Sequence, residues 1–190
     1  YLIYRNHKAF DDIANIELIA DNMSPWGRAN QLAFYFNSVS EEMATVEELK
    51  ADKDPAVQVL AKAYAVYQGL LNEENAMDFS SIQVIAYQLL AENEAIREKV
   101  QEQLRYVMID EYQDTNYVQE RLIFLIAERH RNICVVGDDD QGLYRFRGAT
   151  IRNILEFPSK WEGVAQFSLV ENYRSERDII SFYNDWMQDT

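Results

Sequence analysis

The residues best suited to chemistry stand at the end of an apolar run, where Val107-Met108-Ile109 is followed directly by Asp110 and Glu111. In an open α/β sheet, ligands gather at the carboxyl ends of the strands, so these two carboxylates would project where a nucleotide lies. Magnesium bound beside phosphates takes one or two carboxylates and keeps several waters, which suits Asp110. An adjacent free carboxylate, Glu111, could polarise an attacking water. Acids after a strand are also common helix caps, so the pair alone leaves both readings open. Cys134 is the one cysteine and sits in the apolar run Ile133-Cys134-Val135-Val136. It is expected to be a buried, inert thiol rather than a nucleophile or a ligand.

The elements that must position these acids change character near residue 104. Before it, the chain reads as helices with start signals. Ser24-Pro25 and Asp54-Pro55 each place a capping side chain before a proline suited to a first helical turn, and Thr45-Val46-Glu47-Glu48 has capping-box spacing. Asp78 could cap a stretch in which Phe79, Ile82, Ile85, Ala86, Leu89 and Leu90 recur at helical period. After Asp54-Pro55, Val59, Leu60, Ala63, Tyr64, Tyr67, Leu70 and Leu71 form another apolar stripe, read as core. From Arg105, short β-rich runs alternate with helical ones, which predicts βαβ units and a parallel sheet. A buried strand over 106–109, a helix opened by Asn116 and a strand over 133–136 complete one crossover. A helix over about 150–157, a strand over about 164–169 and a helix over about 176–187 continue the alternation.

The chain has 190 residues, nearly half of them apolar, which is enough to bury a core and excludes a disordered chain. No apolar run approaches the roughly 18 residues of a membrane span, and a reducing, cytoplasmic setting is expected. The net charge of −14 counts against a nucleic-acid-binding surface. It is unevenly spread: residues 1–103 carry 8 Lys/Arg against 17 Asp/Glu, residues 104–190 carry 10 against 15, and nine of those ten cations are arginine. Arginine is suited to forked contact with phosphate, but ordinary ion pairs would account for the same composition.

Three long runs decide more. Residues 107–116, Val-Met-Ile-Asp-Glu-Tyr-Gln-Asp-Thr-Asn, resemble the second motif of the UvrD/Rep-like superfamily 1 DNA helicases, the Walker B element of that family. Residues 135–149, Val-Val-Gly-Asp-Asp-Asp-Gln-Gly-Leu-Tyr-Arg-Phe-Arg-Gly-Ala, are similar to its third motif, and Glu171-Asn172-Tyr173-Arg174-Ser175 to its fourth. Met77-Asp78-Phe79-Ser80 and the stretch from Asn22 to Ser38 resemble the helical insertion that precedes the second motif. The resemblance implies an α/β fold: a partial RecA-like P-loop NTPase parallel sheet (residues 104–190) with a preceding all-helical subdomain (residues 1–103).

What the resemblance implies about the site follows residue by residue. Asp110 would hold Mg2+ and Glu111 would activate water. Gln141 would sense the terminal phosphate of ATP, with a turn-stabilising amide as its plainer role. Arg174 would donate its guanidinium to the same phosphate, or else pair with Glu171 or Glu176, and Tyr173 would stack on the adenine ring. Tyr144 and Phe146 alternate across an arginine and would stack on unpaired bases of single-stranded DNA, while Arg147 would contact phosphate or brace the loop. The implied activity is ATP-driven translocation and unwinding at duplex junctions, 3′ to 5′, with DNA repair among its settings. A helicase fused to a nuclease, or a non-catalytic interaction module, are the other readings.

Two departures qualify this. The family usually has serine and isoleucine after the third-motif glutamine, where this chain has Gly142-Leu143. A P-loop needs glycines followed by Lys and Ser/Thr, and none of the six glycines precedes a lysine. The chain is therefore expected to be an internal fragment whose missing motor segments flank it in one polypeptide, and to be inactive by itself.

Overall fold

The computed structural model describes residues 1–21, 24–138 and 152–188. Its helices begin where the capping chemistry places them. α1 (Leu2–Arg5) and α2 (His7–Asp11) lead through a 3-10 turn at Ile16–Leu18 to α3 (Pro25–Glu41), where Ser24 Oγ accepts from Gly27 N at 3.1 Å. α4 (Val46–Ala51) carries the complete Thr45/Glu48 capping box. At α5 (Pro55–Glu73), Asp54 Oδ1 accepts from Ala56 N at 2.8 Å. α6 (Phe79–Glu92) opens on Asp78, whose carboxylate accepts from Ser81 N at 2.6 Å, and α7 (Glu94–Gln103) opens on Asn93. These side chains satisfy N–H groups that no carbonyl inside the helix can reach.

The first five helices enclose a core of Ile3, Phe10, Ile16, Leu32, Phe36, Val39, Val59, Ala63, Tyr64 and Tyr67. Phe36 and Tyr67 stack with ring centroids 4.7 Å apart, so the apolar stripe of α5 is core as expected. Two hydroxyls enter this core with partners: Tyr64 Oη lies 2.8 Å from Ser40 Oγ, and Tyr67 Oη donates to Asp78 Oδ2 at 2.6 Å. The second bond ties α5 to the cap of α6. Ion pairs Arg5–Glu74 and Arg28–Asp11 lie on the outside of the same helices.

After α7 come β1 (Val107–Ile109), a 3-10 turn at Tyr112–Asp114, α8 (Tyr117–Ala127) and β2 (Ile133–Val135). β1 and β2 pair in parallel with Val107, Met108 and Ile109 opposite Ile133, Cys134 and Val135. This is the expected crossover, and α8 opens on an Asn116/Gln119 capping box. The fold class is thus an α-helical subdomain preceding a small parallel sheet, a partial RecA-like arrangement. α6 packs on α7 and α8, which joins the helical part to the sheet part. α9 (Arg152–Lys160) and α10 (Arg177–Gln188) follow. Residues 1–156 form one compact unit and 157–190 a second, each described by itself.

Three expectations are corrected. The strand over 106–109 is not buried: Tyr106 is 77% and Met108 79% exposed, and Cys134, opposite Met108, is exposed as well. Side chains alternate between the faces of a strand, and among the described residues only the Val107/Ile109 and Ile133/Val135 face is partly covered. The thiol is therefore not the buried group it was expected to be. The strand over 164–169 is absent: this segment has no ladder partner among the described residues, and Phe167, Leu169 and Val170 are exposed. A strand needs a neighbour for its backbone groups, which β-prone side chains alone do not supply. The helix expected after Asp78 is present as α6, and of its apolar stripe only Leu90 is buried, while Phe79 is 88% exposed and Ile82, Ile85 and Leu89 are half-exposed.

Candidate active site

The strand pair ends in a tight arrangement of backbone bonds. Val136 N donates to Ile109 O at 2.8 Å and Tyr112 N donates to Val136 O at 2.9 Å, so Asp110 and Glu111 are the two residues squeezed out between successive rungs. Glu111 accommodates the turn with φ 51° and ψ 44°, in the left-handed region. For a non-glycine residue this costs on the order of 1–3 kcal/mol and is held only by surrounding contacts. Asp110 Oδ1 accepts from Glu111 N at 3.0 Å, which orients that carboxylate at the sheet's carboxyl edge. Both acids are exposed, so their charged forms remain hydrated and able to meet a cation.

Below the acids, Tyr112, Gln113 and Thr115 are buried and hydrogen-bonded. Gln113, 1% exposed, donates from Nε2 to Glu111 Oε2 at 2.7 Å and accepts at Oε1 from Asp138 N at 3.1 Å. Tyr112 is fully buried and donates from Oη to Glu120 Oε1 at 3.0 Å; burial first, then the Glu120 carboxylate, push its hydroxyl pKa well above the ordinary value. Thr115 Oγ1 donates to Tyr112 O at 2.6 Å, and buried Asn153 at the start of α9 donates from Nδ2 to Thr115 O at 3.1 Å. A Cβ on Gly137 would stand 2.6 Å from Gln113 Oε1 and 2.7 Å from Ile154 Cδ1, so glycine is what lets the end of β2 approach so closely.

Of the residues singled out from the sequence, Asp110 and Glu111 are brought together here. Gln141, Tyr144, Phe146 and Arg147 lie outside the described residues. Tyr173 and Arg174 belong to the second unit. There Asn172 Oδ1 accepts from Arg174 N at 2.9 Å and from Ser175 N at 3.1 Å, a local turn that leaves the Tyr173 ring 93% exposed. Arg174 makes no ion pair with Glu171 or Glu176 among the described residues. Sequence reasoning gave no role to Gln113, Gly137 or Asn153. Their residue types are ordinary in turns, and only burial with specific partners marks them.

The described residues contain no cluster of three or more metal-ligating side chains. A magnesium ion held beside phosphates does not need one, and a single oriented, exposed carboxylate such as Asp110 fits that mode. Among the described residues, no helix is long and apolar enough to cross a membrane.

Known proteins carry the same sequence pattern. The family described as UvrD/REP helicase N-terminal domain matches residues 4–162. The ATP-dependent DNA helicase PcrA of Staphylococcus epidermidis is 35% identical over 150 residues, covering 78% of this chain and 21% of that protein. PcrA of Bacillus subtilis is 39% identical over 128 residues, 67% of this chain and 17% of that protein. The chain thus spans about a fifth of the length of these curated relatives. With the match running through most of the helical part and both strands, the chain belongs to the UvrD/REP helicase N-terminal domain family.

Proposed function

We propose that this chain is part of an ATP-dependent DNA helicase or translocase that couples Mg-ATP hydrolysis to 3′ to 5′ movement on single-stranded DNA and to unwinding at duplex junctions. Residues 1–103 are its helical insertion and residues 104–190 part of its first motor domain, in a cytoplasmic protein. The observation that carries this reading is the placement of Asp110 and Glu111 at the carboxyl edge of a parallel strand pair, with the second acid held in a strained turn by buried partners.

Bound Mg-ATP would supply the phosphoryl group for transfer to water and the charge neutralisation that transfer needs. Asp110 would hold the metal. Glu111, one residue on and directed separately by Gln113, would orient the attacking water and accept its proton at the carboxylate. Gln141 and Arg174 would meet the terminal phosphate and Tyr173 the adenine, while Tyr144, Phe146 and Arg147 would contact DNA. Because these 190 residues contain no P-loop, ATP turnover would require further segments of a longer polypeptide.

The test is Glu111→Gln in the full-length polypeptide. It removes the base while keeping the shape, so ATP binding should persist within about twofold while hydrolysis falls by about 100-fold or more. Hydrolysis at the parental rate would end this reading, as would DNA-stimulated ATP turnover by the 190-residue chain alone.

A further inference from the structure

Gln113, 1% exposed, touches both the acid pair after β1 and the backbone leaving β2. Its amide can be read in only one orientation. The Glu111 carboxylate accepts and cannot donate, and the Asp138 N–H donates and cannot accept, so Nε2 must face the first and Oε1 the second. A side chain in this position cannot rotate without breaking both bonds, one of them to a carboxylate. Gly137 supplies an independent sign of the same constraint: its missing Cβ is the space that Gln113 Oε1 occupies.

Resting on the proposed role of Glu111, we infer that Gln113 is a positioning residue, which aims the Glu111 carboxylate and registers it against the segment that follows Asp138. The second bond gives the link its direction. The chain continues from Asp138 into Gln141, Tyr144 and Phe146, so a displacement of that segment reaches Asp138 N, then the Gln113 amide, then Glu111. Glu111 itself stands in a backbone conformation that costs energy, so loss of the tether frees it to leave the productive turn.

The experiment uses the full-length polypeptide with Gln113→Met, which keeps the volume and the apolar stem, and Gln113→Glu, which keeps the acceptor but sets a second carboxylate against Glu111. In single turnovers the hydrolysis rate of Gln113→Met should fall about tenfold or more, with ATP affinity within about twofold. Gln113→Glu should be slower still, because it has no N–H to donate to Glu111 and sets a second carboxylate against it. Stimulation of turnover by single-stranded DNA should shrink toward unity in Gln113→Met.

A folded Gln113→Met that hydrolyses ATP at the parental single-turnover rate, or that loses ATP affinity as much as rate, would overturn the positioning role, whatever its melting temperature. A slowed single turnover with undiminished DNA stimulation would overturn the link to the segment after β2. Should Gln113→Glu fail to fold, the neutral Gln113→Met decides both points. Glu111→Gln, run alongside, separates the two levels. Parental turnover there sinks the catalytic reading itself, whereas a dead Glu111→Gln beside an unaffected Gln113→Met sinks only the positioning role.

Discussion

Asn153 Nδ2 donates a 3.1 Å hydrogen bond to the backbone carbonyl of Thr115, pinning the first turn of α9 to the turn that follows the acid pair. Asn153 is 1% and Thr115 8% exposed, so water does not readily replace either partner. Asn153→Ala leaves that carbonyl without its donor, and buried groups left this way cost about 1–3 kcal/mol. Urea unfolding should show a loss of that size. A change within error would mean that the contact is incidental to stability.

Two glycines should respond to alanine in opposite directions. A Cβ at Gly137 meets Gln113 Oε1 at 2.6 Å and Ile154 Cδ1 at 2.7 Å, and Gly137→Ala should destabilise by about 1–3 kcal/mol as both neighbours are forced aside. Gly69 lies within α5 with nothing inside 4 Å of an added Cβ, so Gly69→Ala should stabilise by about 0.5–1 kcal/mol through helix propensity. Denaturation midpoints of the pair check the sign of each. Equal shifts would refute the packing argument at Gly137.

Glu41 provides the pH prediction. Burial pushes its carboxyl above the ordinary value, with bonds from Ser80 and Asn116 acting the other way and the charges of Glu42 and Asp78 adding to the rise. A carboxyl whose folded pKa is raised binds its proton more readily in the native state, so native stability falls as pH climbs through that range. The penalty is absent below about pH 4.5, the ordinary value, and complete once pH exceeds the raised folded value. Glu41→Gln should therefore be more stable than the parent at neutral pH, while keeping an acceptor for Ser80, and the advantage should vanish in acid. Urea unfolding measured across pH reads this directly, and a gain that persisted in acid would point to packing rather than charge.

Phe146→Ala in the full-length polypeptide tests the assignment of the DNA contacts. Stacking of one base on an aromatic ring is worth about 1–3 kcal/mol, so affinity for single-stranded DNA and DNA-stimulated ATP turnover should fall together while basal turnover holds. Equal losses in basal and stimulated rates, with a lowered melting temperature, would make Phe146 a core residue instead.

Local chemistry was legible in the amino-acid order because its causes are local. Ser24, Thr45, Asp54, Asp78 and Asn116 each cap the helix that their spacing announced, since a cap needs only a side chain and the N–H groups two or three residues on. The β1-α8-β2 crossover and the Asp110-Glu111 pair at its edge follow from the same short-range patterns, joined by the resemblance of three long motifs. What a residue faces across the fold was not legible. The runs Val107–Ile109 and Ile133–Val135 read as wholly apolar, yet only tertiary packing decided that Met108 and Cys134 share an exposed face. Among the described residues, the β-prone stretch over 164–169 lacks the one thing sequence cannot supply, a hydrogen-bonding neighbour. Gln113 and Asn153 are unremarkable as residue types and became structural ties only because distant backbone, Asp138 N–H and the Thr115 carbonyl, came within 3.1 Å of them. Burial and long-range polar pairing are properties of two chain segments at once, and only the folded chain specifies which two.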